Sequence, residues 1–377
     1  MEIVVLILTF IYFSKIIYEK IELKKNRNKI KTVIHINGIR GKSTISRLID
    51  AGLRDEKKKI FTKITGTEPR YIDIDGVEKK IFRRGLPNIR EQIKFIKKAA
   101  NLGVDILILE CMAVNPELQK ICEEKIVKSN ITLITNVRED HLDEMGETLD
   151  EIAFSLSLTI PKNGFLFTSD KRYFEFFKEC AKKKNTKTYL VTAEEEEYRE
   201  IDFIENVGLA LKICEHLGVK KEIALQRMKE YKKDPGVLKE VEYLTKKGGK
   251  ILFINALAAN DPDSTKKIID FYRKKEIWTK TKYLMVNNRK DRISRMKQFE
   301  NFTLNIENDF EKIIISGENK RNFCKGLKKI EKKIEIVDSI KYFDDIEEEI
   351  LIFAIGNICG EGKKIVEKLE TGGGVDE

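Results

Sequence analysis

The sequence predicts an α/β protein of two domains, each built on a parallel-rich sheet. Three observations predict it. From Lys31 onward, short apolar runs alternate with stretches of helical periodicity, the pattern left by strands joined through crossover helices. The length, 377 residues, exceeds that of one typical domain. A turn-forming triplet, Asp234-Pro235-Gly236, interrupts a Lys-rich helical stretch and marks the expected boundary. The expected division is therefore residues 30–234 and 235–377, with residues 1–29 as a separate N-terminal segment.

In the first domain Val33 to Ile36 reads as a strand. Ile45, Leu48, Ile49 and Leu53 follow at helical spacing, so the glycine-containing stretch between them is a strand-to-helix turn. A second helix carries Ile89, Ile93, Ile96 and Ala100 and leads into a strand at Ile106 to Leu109. A further strand runs from Ile131 to Thr135. Beyond the boundary the alternation resumes, with strands at Ile251 to Ile254, Tyr283 to Val286, Ile313 to Ile315 and Ile350 to Ile355.

A content of 41% hydrophobic and 36% charged residues, with 6 prolines and no low-complexity tract, excludes a disordered chain. Cys111, Cys122, Cys180, Cys214, Cys324 and Cys359 form no CxxC pair and only three histidines accompany them, which disfavours structural zinc and disulfides. They read as small buried hydrophobes of a protein body in a reducing, cytoplasmic compartment.

The net charge is +10, of which +5 lies between Lys15 and Lys31. That basic stretch follows an apolar run, Ile3 to Tyr18, shorter than the roughly 20 residues a spanning helix needs and interrupted by Ser14 and Lys15. A signal peptide has the reverse order of charge and apolar run. The expectation is an N-terminal hydrophobic helix that anchors to the cell membrane, peripherally or as a single span, with the catalytic domains cytoplasmic. An amphipathic helix docked on the protein itself is the alternative.

The strongest motif is Gly38-Ile39-Arg40-Gly41-Lys42-Ser43-Thr44, between the first strand and its helix. A turn entering a helix N-terminus presents backbone N–H groups to an anion, Lys42 adds positive charge, and the Ser43 hydroxyl suits a magnesium ion. Ile36 stands where the first glycine of the longer G-x-x-x-x-G-K-S/T pattern would be, so the shorter G-x-x-G-K-S/T-S/T form applies. Glu110 ends an otherwise apolar strand, which places its carboxylate on the edge where parallel sheets bind ligands. Asn136-Val137-Arg138-Glu139-Asp140-His141-Leu142-Asp143 begins where another strand ends and brings an imidazole and acids to the same edge. Taken singly, Glu110 reads equally well as the start of a solvent-exposed loop, and a lone loop histidine such as His141 is usually a surface residue. Their convergence with a phosphate cradle on three strand ends makes a site. His35, inside the first strand, reads as a satisfied core residue.

Together these motifs resemble the Mur ligase superfamily, and within it the ligase subunits of bacterial poly-γ-glutamate synthases. INGIRGKST, TGTEPR, RRGLPNIREQ, NVREDHLDEMG, NALAANDPDST, NNRKDRISRMKQF and IGNICGEG carry the likeness, from about Lys31 to the C-terminus. The resemblance implies a Mur-ligase-like central P-loop ATPase domain and a smaller Rossmann-like C-terminal domain. It implies ATP and Mg2+, with Lys42 on the γ-phosphate and Ser43, Glu110 and His141 around the metal. Asn37, Gly38, Arg40, Gly41, Thr44 and Asn136 would line the nucleotide site, with Asn206 near the adenine. Two positions depart from the superfamily. Ser157 stands where a carbamylated lysine helps hold a second metal, and Asn255 where an aspartate contacts the ribose, which leaves Asn260 and Asp261 as candidates there. The phosphate loop begins within the first forty residues, so the UDP-binding domain of Mur enzymes is not expected before it, which disfavours a nucleotide-sugar substrate.

The expected activity is ATP-dependent polymerisation of glutamate through γ-linkages by way of an acyl phosphate. Arg70 and Arg84 are candidates for holding substrate carboxylates, since guanidinium forks bind them bidentately; a surface role is the alternative for both. The expected partners are glutamate, the growing polymer and small membrane subunits of a synthase complex, with no nucleic acid. A folylpolyglutamate-type ligase and a P-loop NTPase with a regulatory or nucleic-acid role remain the rival readings.

Overall fold

The computed structural model describes residues 2–371 except 56, 67–68, 84, 234–237, 260 and 291–292. The chain divides into two compact units, Met1–Lys233 and Asp234–Glu377. The Asp234-Pro235-Gly236 triplet lies outside the described residues.

The first unit opens with helix α1 (Glu2–Lys29) and strand β1 (Thr32–Asn37), followed by α2 (Lys42–Leu53), β2 (Ile60–Ile64) and a short hairpin of β3 (Arg70–Ile72) and β4 (Glu78–Lys80). Next come α3 (Glu91–Asn101), β5 (Ile106–Glu110), α4 (Pro116–Ile121), β6 (Ile131–Ile134), α5 (Leu142–Met145), α6 (Leu149–Ser157), β7 (Phe165–Thr168), α7 (Phe174–Lys182), β8 (Lys187–Leu190), α8 (Ile204–His216) and α9 (Lys221–Lys229). The eight strands form one sheet in the order β4-β3-β2-β5-β1-β6-β7-β8. Only the hairpin strands pair antiparallel.

Crossover helices cover both faces, so the central strands are apolar on both sides. Ile34 and Ile36 of β1 pack with Leu48 of α2, Val207 of α8 and Met228 of α9. Val33 faces the other way, towards Phe95, Ile96 and Ala99 of α3. Beyond β6, Ile134 and Leu166 meet Ile152 and Leu156 of α6 and Phe177 of α7. Burying a side chain of this kind contributes on the order of 1.5–3 kcal/mol, which is what fixes the layers.

His35 shares the Val33 face and is fully buried; its Nδ1 lies 2.8 Å from Glu123 Oε2. Glu123 Oε1 accepts from the Ser129 N–H and hydroxyl at 2.8 and 2.9 Å. Desolvation disfavours the imidazolium, but Cys111 and Glu123 outweigh it and raise the His35 pKa from 6.5 to about 10.

The second unit comprises β9 (Lys239–Leu244), β10 (Lys250–Asn255), α10 (Pro262–Tyr272), β11 (Lys282–Asn288), α11 (Ile293–Ile306), β12 (Lys312–Gly317), α12 (Lys320–Gly326), β13 (Ile334–Ile336), β14 (Glu349–Gly356) and α13 (Glu361–Thr371). Its six strands run in the order β13-β12-β11-β14-β10-β9, with β9 alone antiparallel. Ile254, Leu284, Ile315 and Phe353 line one core, and Phe253, Met285, Ile314 and Ile352 line the other. This is an α/β unit with parallel crossovers, as the alternating pattern implies.

The N-terminal expectation needs correcting. The run Ile3 to Tyr18 lies within α1, but the helix continues to Lys29 and as a whole is not apolar, carrying Glu2, Lys15 and then Glu19, Lys20, Glu22, Lys24, Lys25, Arg27 and Lys29. Among the described residues no helix is long and apolar enough to cross a membrane. The C-terminal half of α1 is tied to the body. Arg27 donates to the carbonyls of Val127, Lys128 and Ile30 and to Asn130 Oδ1, all at 2.7–3.2 Å. Glu19 and Glu22 pair with Arg90 and Lys97 of α3 at 2.6 and 2.7 Å. The N-terminal half leaves Ile3, Leu6, Phe10 and Phe13 more than half exposed.

Arg27→Ala is expected to leave the sheet folded but to loosen α1, at a cost of about 1–3 kcal/mol for the stranded carbonyls, read as faster trypsin cleavage after Lys24 and Lys25. The His35–Glu123 pair makes a second expectation. Because the folded pKa is raised, its stabilisation is complete below pH 6.5 and is lost as pH rises through about 10. Urea denaturation at pH 7 and pH 10.5 should therefore lose more stability in the native sequence than in His35→Gln, and equal losses would remove the pair from the account.

Candidate active site

The phosphate-loop geometry follows from two glycines. Gly38 has φ +120°, and a Cβ there would fall 2.1 Å from Thr135 Oγ1. Gly41 has φ +83°, and a Cβ would fall 2.6 Å from Asn206 Oδ1. An L side chain is strained in this backbone region and has no room. The loop is sewn to the end of β6: the Thr135 hydroxyl and Asn136 Nδ2 donate to the Arg40 carbonyl at 2.6 and 3.1 Å. Asn136 Oδ1 in turn accepts from the Arg40 N–H at 3.0 Å.

Helix α2 starts at Lys42 with no side-chain cap, so its first N–H groups face the loop mouth. The Lys42 ammonium donates to the Gly38 carbonyl at 2.6 Å and the Ile39 carbonyl at 3.3 Å. Burial lowers its pKa, while Glu110 and Asp140 pull the other way and Arg40 adds to the lowering. A cation held against its own loop carbonyls, beside uncapped amides and a glycine cradle, fits a phosphate chain.

Glu110, at the end of β5, is buried, and Oε2 accepts from Ser43 Oγ at 3.1 Å and from the Thr65 N–H at 2.7 Å. Its backbone carbonyl accepts from Gln92 Nε2 at 3.0 Å. On the other side Arg40 pairs with Asp140 at 3.2 Å, and His141 Nε2 lies 3.6 Å from the same carboxylate oxygen. His141 itself adopts φ +53° at the start of α5. Ser43, Glu110 and His141 are hard or borderline donors suited to a divalent metal. Among the described residues no group of three or more His, Cys, Asp or Glu side chains gathers as a metal cage. A metal here would take most of its ligands from phosphate and water, the habit of magnesium.

The other expected residues fall as follows. Asn37 turns inward: its Nδ2 donates to Gln119 Oε1 at 2.8 Å and Thr159 Oγ1 at 3.2 Å, so its side chain anchors the strand end and does not line the loop. Asn206 lies against Gly41 and donates to Asp202 Oδ1 at 3.0 Å. Thr44 sits half-buried in the first turn of α2. The Ser157 hydroxyl is turned to its own helix, bonding the Phe154 carbonyl at 2.7 Å. Arg70 lies in the hairpin, 3.8 Å from Glu78. In the second unit Asn255 Oδ1 accepts from the Leu257 N–H, and Asp261 caps α10 through the Ser264 N–H at 2.8 Å. Arg84 and Asn260 lie outside the described residues. The sequence reading missed Thr65, Gln92 and Thr135; the rule that strand ends gather on one edge would have found Thr65 and Thr135.

The Mur ligase middle-domain family matches residues 36–229, and the poly-gamma-glutamate synthase CapB C-terminal domain matches residues 241–372. The chain is 36% identical over 373 residues to PGA synthase CapB of Bacillus subtilis (strain 168), covering 94% of each. This chain belongs to the CapB family of Mur ligases. It is also 39% identical over 284 residues to the capsule biosynthesis protein CapB of Bacillus anthracis, covering 73% of this chain and 61% of that one. Among solved structures, folylpolyglutamate synthase of Thermotoga maritima matches with a TM-score of 0.63 at 16% identity, covering 97% of this chain and 98% of that one. The bifunctional folylpolyglutamate/dihydrofolate synthase of Yersinia pestis, complexed with AMPPNP and Mn ion, matches with a TM-score of 0.68 at 12% identity over 92% of each chain. At those identities the likeness shows that the CapB-family chain shares the Mur ligase fold.

Gly41→Ala should weaken binding of a non-hydrolysable ATP analogue at least about tenfold, as the loop shifts to relieve about 1.4 kcal/mol of backbone strain and the contact with Asn206, and should lower the melting temperature by a few degrees. Isothermal titration measures the first and calorimetric scanning the second.

Proposed function

We propose that this chain is the ATP-dependent ligase that polymerises glutamate through γ-linkages, the activity named for its PGA synthase relative. The observation that carries the reading is the Gly38–Thr44 cradle with Ser43 on Glu110, in a chain that matches that relative along nearly its whole length. As a CapB-family Mur ligase it is an amide ligase, and the chemistry runs in two transfers.

A γ-carboxylate oxygen attacks the terminal phosphorus of ATP, the bond to ADP breaks, and an acyl phosphate results. The amine of a second glutamate then attacks the acyl carbon; phosphate leaves, and the amine proton is lost to solvent or base. Lys42, freed from the Gly38 carbonyl, would follow the charge on the γ-phosphoryl group, and the α2 amides would hold the phosphates in line. A divalent metal, when bound by Ser43, Glu110 and His141, supplies further neutralisation of the phosphate oxygens. The Thr65 N–H keeps the Glu110 carboxylate aimed and Gln92 holds the Glu110 backbone, while Arg40 and Asp140 keep the His141 loop against the cradle. Asn206 would border the nucleotide beside Gly41, and Arg70 and Asp261 remain candidates for the substrate carboxylate and the ribose.

The exposed apolar half of α1, with its basic flank, supports attachment at the membrane surface, where such a helix lies in the headgroup plane. Small membrane subunits of a synthase complex are the partners this placement favours. Membranes carrying the whole complex, given labelled glutamate, ATP and magnesium, should form a γ-linked polymer with release of ADP. Lys42→Ala should lower the rate at least about a hundredfold. Release of AMP and pyrophosphate would mean adenylation and overturn the acyl-phosphate route.

A further inference from the structure

A groove on the first unit shares no lining residue with the Gly38–Thr44 cradle. It runs along the first half of α3 and the segment before it, with a volume of about 750 Å³. Its apolar side presents Phe82 and Leu86, each 92% exposed, an unusual display for residues of that size. Its charged side presents Arg83, Arg90, Lys94 and Lys98 against one acid, Glu91. That acid is already neutralised twice, by Arg83 at 2.7 and 3.0 Å and by Lys63 at 2.8 Å. Arg90 makes an exposed pair with Glu19, a contact of small worth that a ligand displaces easily. The groove therefore carries surplus positive charge over an apolar floor.

Its position ties it to the site. Gln92, the residue after Glu91, bonds the backbone carbonyl of Glu110, and Lys63, near the end of β2, reaches Glu91. One end of the groove is thus fixed to the strand ends that carry Glu110 and Thr65. We infer that this groove binds the growing γ-linked polyglutamate chain, an inference that rests on the function proposed above. A γ-linked chain has one α-carboxylate per residue on a backbone of methylenes and amides, which asks for separated cations over apolar surface. The volume suits several residues of such a chain and is far too large for one glutamate.

The test is fluorescence anisotropy of a labelled γ-linked glutamate decamer with the full chain, without ATP. The decamer should bind, more weakly as salt rises, and free glutamate should not compete. Lys94→Glu should weaken binding about tenfold, and Lys94→Arg should restore it to within about twofold, since only the charge is needed. Phe82→Ser with Leu86→Ser should also weaken it, while binding of an ATP analogue and the melting temperature stay unchanged. Decamer binding unaffected by these variants, or displaced equally well by a DNA oligonucleotide of the same charge, would overturn the inference. The two failures separate in the membrane assay. γ-Linked polymer formed there, with unaffected decamer binding, sinks the groove alone. Absence of γ-linked polymer sinks the proposed function and the groove with it.

Discussion

The parallel register of β1 with its two neighbours is the constraint on which the site depends. Ile36 lies opposite Glu110 across β5, and Asn37 lies opposite Ile134 across β6. In parallel pairing every strand points its C-terminal end the same way, so the loop after β1, the carboxylate of β5 and the loop after β6 are forced onto one edge. A slip of one residue in β5 would send Glu110 to the opposite face and break its bonds to Ser43 and Thr65. The apolar partners Ile34 and Ile108, buried on one face, and Val33 and Leu107, on the other, prevent that slip. The geometry of the candidate site is thus held by hydrophobic packing well below the loop.

That register also explains how the loop can be rigid without carrying strain in its side chains. Gly38 and Gly41 take up the two positive-φ positions. Thr135 and Asn136 then grip Arg40 from a strand end that the sheet already fixes. The cost of ordering the loop is met during folding, so a phosphate meets donors already in place. Lys42 is the exception. Its ammonium rests on two loop carbonyls in a site that disfavours its charge, and the disfavour ends when an anion arrives. The side chain that is least comfortable alone is the one with the most to gain from ligand.

Much of this was legible in the sequence because β1, β5 and β6 are apolar runs ending in polar residues, and because α2 keeps helical spacing after a glycine loop. The hairpin of β3 and β4 was not: Arg70-Tyr71-Ile72 and Glu78-Lys79-Lys80 have neither the length nor the apolarity of a strand. β8, at the sheet edge and largely exposed, lacks a pattern for the same reason. Asn37 falls just past the strand expected at Val33 to Ile36, and the resemblance puts it on the nucleotide site. It shares the parity of Val33 and His35, however, and so points into the interior, where Gln119 and Thr159 meet it. The His35–Glu123 pair joins residues 88 apart, and nothing local announces it.

The second unit has the same architecture but a different edge. Where the first sheet ends in a glycine loop and a lysine, the second ends its strands in Asn255, Asn287, Asn288, Gly317 and Gly356. Asn287 donates to the carbonyls of Asn357 and Cys359 and accepts from Ser316 Oγ, while the Gly317 N–H donates to Glu361 Oε2. Uncharged amides lock these turns to one another, with Glu361 the carboxylate among them. Lys320, at the start of α12, donates to the Val337 carbonyl but also to the Asp338 and Glu361 carboxylates, so its charge is already paired where that of Lys42 rests on carbonyls. Two parallel-rich sheets of different strand order therefore differ in what their strand ends carry. The lysine resting on glycine-loop carbonyls belongs to the first, and amide-rich turns belong to the second.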